Sequence, residues 1–367
     1  MIFSAIRQKA DTIVLTTTAI LIVAGLAVLS SASSNMSMRM FGEPYYFLKH
    51  QFLYGFSVGI VGFLAGLFIP VKHWKKFSFV LLALNIAALL LVFTPLGGDF
   101  GTANRWLDIG GIPVQPSEFL KITAILAFSA WFTQKGKDRR NNFKEGLGQF
   151  LPAAAVVSTI LYFQPATSII VIVVGALCVA YFVGKLNYLY VIGLLTLGGL
   201  AVASLFLFAD GYRMERIMSF RNPEADVRGS GYHLSRALTT IGSGGLFGVG
   251  YGKSTLKLSL PEPANDSVFA IIAEEFGFVG SIFFLSLYLT LVVGGFLGSL
   301  EVKNEFAKLV AVGFASVFGI QSVVHIASIS GSMPMTGVPL PFISYGGTSL
   351  IVGMTMIGLM VNIFRNA

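Results

Sequence analysis

The chain is 367 residues long, 55% hydrophobic and 11% charged, with a net charge of +8. A soluble domain carries roughly 25% charged residues, so a soluble globular class is excluded and a polytopic membrane protein is expected. The basic excess does not mark a nucleic-acid binder, because Lys and Arg fall in short segments between apolar runs and no basic run interleaves with aromatics. Cys178 is the single cysteine and lies inside an apolar run, which rules out an intrachain disulfide and a cysteine metal site.

In chain order, Arg7 and Lys9 precede an apolar run without a cleavable small-residue site, and this is read as a first transmembrane helix rather than a signal peptide. Apolar runs of about 17 to 25 residues predict ten transmembrane helices, at roughly 12–31, 52–69, 77–95, 117–134, 148–163, 167–184, 188–208, 267–298, 309–329 and 348–364. The expected fold class is all-α, one membrane domain over 1–367. Gln164-Pro165 marks a tight turn between the fifth and sixth spans. Lys72, Lys75, Lys76, Lys135, Lys137, Arg139, Arg140, Lys144, Lys185, Lys303, Lys308 and Arg365 fall on the side of Arg7 and Lys9, while the other side carries Arg39, Lys49 and Arg105 in its short segments. The positive-inside rule then puts both termini in the cytoplasm and the 210–266 segment outside.

That segment is the longest polar interruption of the chain. Ile217 and Phe220 stand three apart with Arg213 and Arg216 on a neighbouring stripe, which suits a short interfacial helix ending at Asn222-Pro223. Residues 232–241 predict a second short helix. Gly242-Ser243-Gly244-Gly245 follows, then Gly248, Gly250 and Gly252. Such a stretch either lets backbone approach a phosphate or forms a flexible turn; no G-x-x-x-x-G-K-[ST] pattern decides it.

Ionisable side chains within or at the edge of spans are costly and count as functional candidates. They are Glu118 and Lys121, three apart on one helix face and able to pair; Asp266, before the eighth span; and Glu274 and Glu275, whose directions differ by about 100°. Each has a plain structural reading. Glu118 and Lys121 can be a local ion pair, and Asp266 followed by Ser267 can be a helix N-cap. Histidines 50, 73, 233 and 325 lack metal-ligand spacing, and His325 is expected as a hydrogen-bonded helix contact.

Four stretches together resemble the SEDS family, the polytopic glycosyltransferases of bacterial wall growth that include FtsW and RodA. They are Asn104-Arg105-Trp106 with Gln115-Pro116-Ser117-Glu118-Phe119-Leu120-Lys121; Arg216 through Gly231-Tyr232 to Gly242-Ser243-Gly244-Gly245; Gly250-Tyr251-Gly252-Lys253-Ser254 with Lys257, Leu260-Pro261-Glu262, Asp266 and Glu274-Glu275-Phe276-Gly277; and Pro339-Leu340-Pro341-Phe342-Ile343-Ser344-Tyr345-Gly346-Gly347. Lys257 resembles the FtsW branch more than the RodA branch. Two departures stand out. Ala264-Asn265-Asp266-Ser267-Val268 differs from the family's usual His-Thr-Asp-Phe-Ile, and Ala166 stands where the family usually has an acid.

The resemblance implies polymerisation of lipid II into glycan strands at the outer face of the bacterial cytoplasmic membrane, with 210–266 as the catalytic loop and a single-span class B transpeptidase (a penicillin-binding protein) as partner. Asp266 is the expected general base, taking the acceptor hydroxyl's proton. Lys121 is expected to face Asp266 and hold it ionised, with Glu118 beside it. The leaving pyrophosphate needs positive charge from Arg105, Arg213, Arg216, Lys253 or Lys257, with Lys121 as a further candidate, or from a divalent cation such as Mg or Mn. Glu262 and Ser344 complete the expected substrate contacts, and no organic cofactor is expected. The rival readings are a lipid II flippase and a non-catalytic scaffold for wall-synthesis enzymes.

Overall fold

The computed structural model describes residues 9–95, 97–98, 105–134, 155, 157–164, 166–184, 196, 220–221 and 231–366. Its helices are α1 (Ala10–Phe41), α2 (Tyr46–Phe68), α3 (Val71–Leu91), α4 (Pro116–Gln134), α5 (Thr167–Val183), α6 (Tyr232–Ser243), α7 (Val268–Glu301), α8 (Glu305–Ile329) and α9 (Gly347–Asn366), with a helical stretch at 157–163. Six of these, α1, α2, α3, α7, α8 and α9, are long and apolar enough to cross a membrane. Apart from residue 196, the expected span at 188–208 lies outside the described residues, as do Arg213 and Arg216 of the expected short helix. The second short helix predicted at 232–241 is present as α6.

Each helix starts and stops for local reasons. α1 runs ten residues past its expected end and stops at Gly42, whose φ of 68° closes the helix by an N–H bond to the Met38 carbonyl. α8 begins at Asn304, whose side chain accepts from Ala307 N. Between α3 and α4 a small antiparallel sheet, β1 (Gly97–Gly98), β2 (Trp106–Ile109) and β3 (Ile112–Val114), turns at Gly110-Gly111, both with positive φ. The all-α expectation missed this hairpin, because two- to four-residue strands carry too little periodicity to read.

The core is built around α8 and α9, whose apolar windows are 78% and 72% buried against 17% for α3. α8 packs on α4, α5 and α7, and α9 on α2. The α2–α9 contact depends on glycine. A Cβ on Gly66 would stand 2.6 Å from Leu359 N, and one on Gly358 2.1 Å from the Phe63 carbonyl. Without an apolar driving force between helices in lipid, such close backbone approach supplies the packing.

Candidate functional site

α7 begins at Val268, and its N-cap position is occupied by Ser267 rather than Asp266. Ser267 makes no cap bond; its hydroxyl donates to the Pro261 carbonyl and lies 2.7 Å from His233 Nε2 on α6. Asp266 is half-buried just before this helix start, where the positive helix end favours a carboxylate. The loop leading to it is tightly folded. The Glu262 carbonyl accepts from both Asn265 N and Ser267 N, and Glu262 itself is exposed with a φ of 44°.

The second part of the site is a buried ion pair on α4. Lys121 Nζ donates to Glu118 Oε2 at 2.7 Å and to Gln321 Oε1 of α8 at 2.8 Å, with both charged side chains 2% exposed. Pairing and hydrogen bonding are what make two buried charges tolerable. The ammonium is thus engaged by Glu118 and Gln321, and the expected direct pairing of Lys121 with Asp266 is not formed. The link is indirect. Gln321 Nε2 donates to the Pro339 carbonyl, Leu340 N donates to Ser344 Oγ, and Ser344 Oγ donates to the Asn265 carbonyl beside Asp266. One loop, 338–346, therefore touches both parts of the site. His325, one turn along α8 from Gln321, bonds to the Val338 carbonyl of the same loop at 2.6 Å.

Glu274 and Glu275 both point into protein, each to its own polar neighbour. Glu274 accepts from Ser254 Oγ and from the backbone N–H of Thr255 and Leu256. Glu275 accepts from Ser31 Oγ on α1, and Lys257 Nζ lies 3.5 Å from it while donating to Ser31 Oγ and the Gly252 carbonyl. The residues expected to contact substrate therefore separate. Lys257 is buried in this clasp, and the single proton of Ser344 is committed to Asn265. Lys253 and Glu262 are exposed, and Arg105 sits half-buried at the foot of β2. Arg213 and Arg216 lie outside the described residues.

The glycine-rich stretch serves the backbone of α7. The helix breaks at Gly277, with φ 68° and ψ −166°. Val249 N and Gly250 N donate to the Glu274 and Glu275 carbonyls, and Phe278 N and Val279 N donate to the Gly245 and Leu246 carbonyls. Groups freed by the break are thereby satisfied, as a membrane helix requires. A Cβ on Gly244 would meet the Ala273 carbonyl at 1.9 Å, and one on Gly248 the Glu275 carbonyl at 2.2 Å. Gly244 and Gly248 thus permit close backbone packing against α7.

Sequence reasoning passed over Gln321, Gln51 and Tyr345. The available signal was a polar side chain inside or beside an apolar run, applied to charges and not to neutral amides. Among the described residues no group of three or more His, Cys, Asp or Glu side chains could hold a metal ion. Mg is commonly bound by one or two carboxylates together with substrate phosphates. An apolar cavity of about 140 Å³ lies between α3, α4, 157–163 and α5, lined by Leu82, Phe128, Trp131, Leu161 and Val173 among others.

Comparison with known proteins gives a consistent result. The model of the FtsW/RodA/SpoVE family, described as cell cycle protein, matches residues 11–367. The chain is 33% identical to stage V sporulation protein E of Bacillus subtilis strain 168 over 366 residues, covering 98% of each. It is 32% identical to the probable peptidoglycan glycosyltransferase FtsW of Geobacter sp. strain M18 over 357 residues, covering 96% of each. A solved chain described under the coordination of polymerization and crosslinking by a peptidoglycan synthase complex aligns with a TM-score of 0.79 and 26% identity, covering 96% of this chain and 97% of that one. The Thermus thermophilus rod shape determining protein RodA aligns with a TM-score of 0.70 and 25% identity, covering 96% of each chain.

Proposed function

The chain belongs to the FtsW/RodA/SpoVE family, and from that premise we propose that it is a peptidoglycan glycosyltransferase that polymerises lipid II at the outer face of the bacterial cytoplasmic membrane. The observation that carries the mechanism is the 338–346 loop, which joins the Asp266 segment to the buried Glu118–Lys121–Gln321 cluster. Asp266 acts as general base: it takes the acceptor hydroxyl proton as that oxygen attacks the anomeric carbon and the lipid pyrophosphate leaves. Lys121 acts through the loop, fixing its position and adding positive potential, rather than by contact with Asp266. Of the expected cations, the exposed Lys253 and the half-buried Arg105 are assigned to the pyrophosphate. A divalent cation, if it takes part, would neutralise the leaving pyrophosphate together with these side chains. The apolar cavity beside α4 suits part of a lipid tail, and a single-span transpeptidase is the proposed partner, in keeping with the synthase complex to which the chain is similar.

The test is polymerisation of labelled lipid II by the purified full chain, with and without the candidate transpeptidase and divalent metal. Wild type should yield glycan strands, and Asp266→Asn none while still binding lipid II. Normal polymerisation by Asp266→Asn would remove it as the base. Transbilayer movement of lipid II without strands would favour the flippase reading instead.

A further inference from the structure

The segment ending in Asp266 is held by the 338–346 loop, which carries the expected site residue Ser344, and through that loop by α2, which carries none. The Ala264 carbonyl accepts from Tyr345 N at 2.8 Å, and the Asn265 carbonyl from Ser344 Oγ at 2.8 Å. Both peptide carbonyls leading into Asp266 are therefore fixed by one turn of the 338–346 loop. That turn is in turn fixed by α2. Gly346 N donates to Gln51 Oε1 at 3.1 Å, and the Tyr345 hydroxyl lies 2.9 Å from His50 Nδ1.

Three further observations converge on this junction. Among the described residues, Glu262 and Phe342 are the only non-glycine residues with positive φ, and one lies in each of the two loops that meet here. Backbone of this kind persists only where its surroundings over-determine it, and it concentrates at functional sites. Gln51 is buried and opens a six-residue π-helical turn, Gln51–Phe56, a rare geometry that also concentrates at functional sites. Gly25 of α1 gives way to the strained loop, since a Cβ there would stand 2.3 Å from the Phe342 carbonyl. An interfacial aromatic belt accounts for the rings of Tyr46, Tyr54 and Tyr345 around His50. It does not account for the hydrogen bonds that run from α2 through Tyr345 and Gly346 to the Asp266 segment.

We propose that His50, Gln51 and Tyr345 form a latch that sets the position of Asp266, acting as positioning residues for glycosyl transfer. The proposal rests on Asp266 being the general base. The Tyr345 hydroxyl and His50 Nδ1 share one hydrogen bond, whose donor depends on the imidazole tautomer. The geometry predicts which replacements work: Asn at position 50 places its amide near the former Nδ1 and can accept or donate there, whereas Leu can do neither.

The experiment compares His50→Leu, His50→Asn, Tyr345→Phe and the double variant His50→Leu/Tyr345→Phe, in the full chain with its activating partner. The readouts are kcat and KM for lipid II, melting temperature, and amide hydrogen exchange over 260–267. The latch predicts a kcat about five- to tenfold lower in His50→Leu and in Tyr345→Phe, the scale of one lost hydrogen bond, with KM within about twofold. The double variant should be no worse than either single one, and His50→Asn should be close to wild type. Exchange over 260–267 should accelerate in the impaired variants alone. Unchanged kcat and exchange overturn the latch. So does a rise in KM with kcat intact, which would make these residues substrate contacts. A matching loss of melting temperature and activity without rescue by His50→Asn would make them structural only, and equally overturns it. Exchange does not depend on turnover. If wild type makes no strands yet exchange follows the predicted pattern, the glycosyltransferase reading fails and the latch stands as a loop device; if neither appears, both fail.

Discussion

Lys121 is 2% exposed, and its ammonium is met by two partners, Glu118 and Gln321. Removing one member of a buried pair leaves the other uncompensated at a cost of about 3–5 kcal/mol, whereas replacing both by apolar groups is often neutral. Lys121→Met should therefore lower the melting temperature in detergent strongly, and Glu118→Leu/Lys121→Met should recover at least half of that loss without recovering polymerisation. Recovery of both would reduce the pair to a structural device. Tyr345 gives a second residue-scale expectation. Its folded-state value is raised to about 12 from 10 by burial, so its contribution is full below about pH 10 and is lost as pH rises to about 12. The melting-temperature advantage of wild type over Tyr345→Phe should be constant from about pH 7 to 9 and shrink above about pH 10; an advantage that grows with pH would contradict the sign. The carboxylates and lysines of this site were legible in the sequence because a charge in an apolar run is conspicuous. Gln51, Gln321 and Tyr345 were not, because a neutral polar side chain in a span costs less and shows its role only once its partner is in place.

At the scale of elements, α7 shows how a membrane helix can break without leaving backbone unsatisfied. The break at Gly277 is splinted by 245–250, an arrangement that needs glycine on both sides of the contact. A Cβ at Gly277 would stand 2.3 Å from Gly248 N, and its φ of 68° adds strain, whereas a Cβ on Gly242 meets nothing within 4 Å. Gly277→Ala should therefore reduce thermal stability by an amount typical of overpacking, about 1–3 kcal/mol or more, with loss of polymerisation. Gly242→Ala, in helix α6, should be neutral or slightly stabilising. Equal melting temperatures for the two variants would show that the splint is not needed. The sequence displayed the glycine density; a turn, a ligand cradle and a splint all fit that density, and only the contact with α7 separates them.

At the scale of the whole molecule, orientation follows from where the cations fall between spans. Lys253 and Lys303 are both exposed and lie on opposite sides by the positive-inside reading. With Cys178→Ser as background, Lys253→Cys should react with a membrane-impermeant maleimide on intact cells and Lys303→Cys only after lysis; the reverse pattern would invert the topology. The sequence by itself determined the membrane class, six spans to within about ten residues at either end, and the set of charged candidates, because length, hydropathy and charge are local quantities that need no partner. The tertiary structure decided what those candidates do. Lys121 meets Gln321 across 200 positions of chain, Lys257 closes on Ser31 and Glu275, and the Asp266 segment is held by Ser344 and Tyr345, latched in turn to α2. Hydrogen bonds and ion pairs act over about 3 Å, and which side chains come within that distance is set by how the helices pack, not by their spacing along the chain.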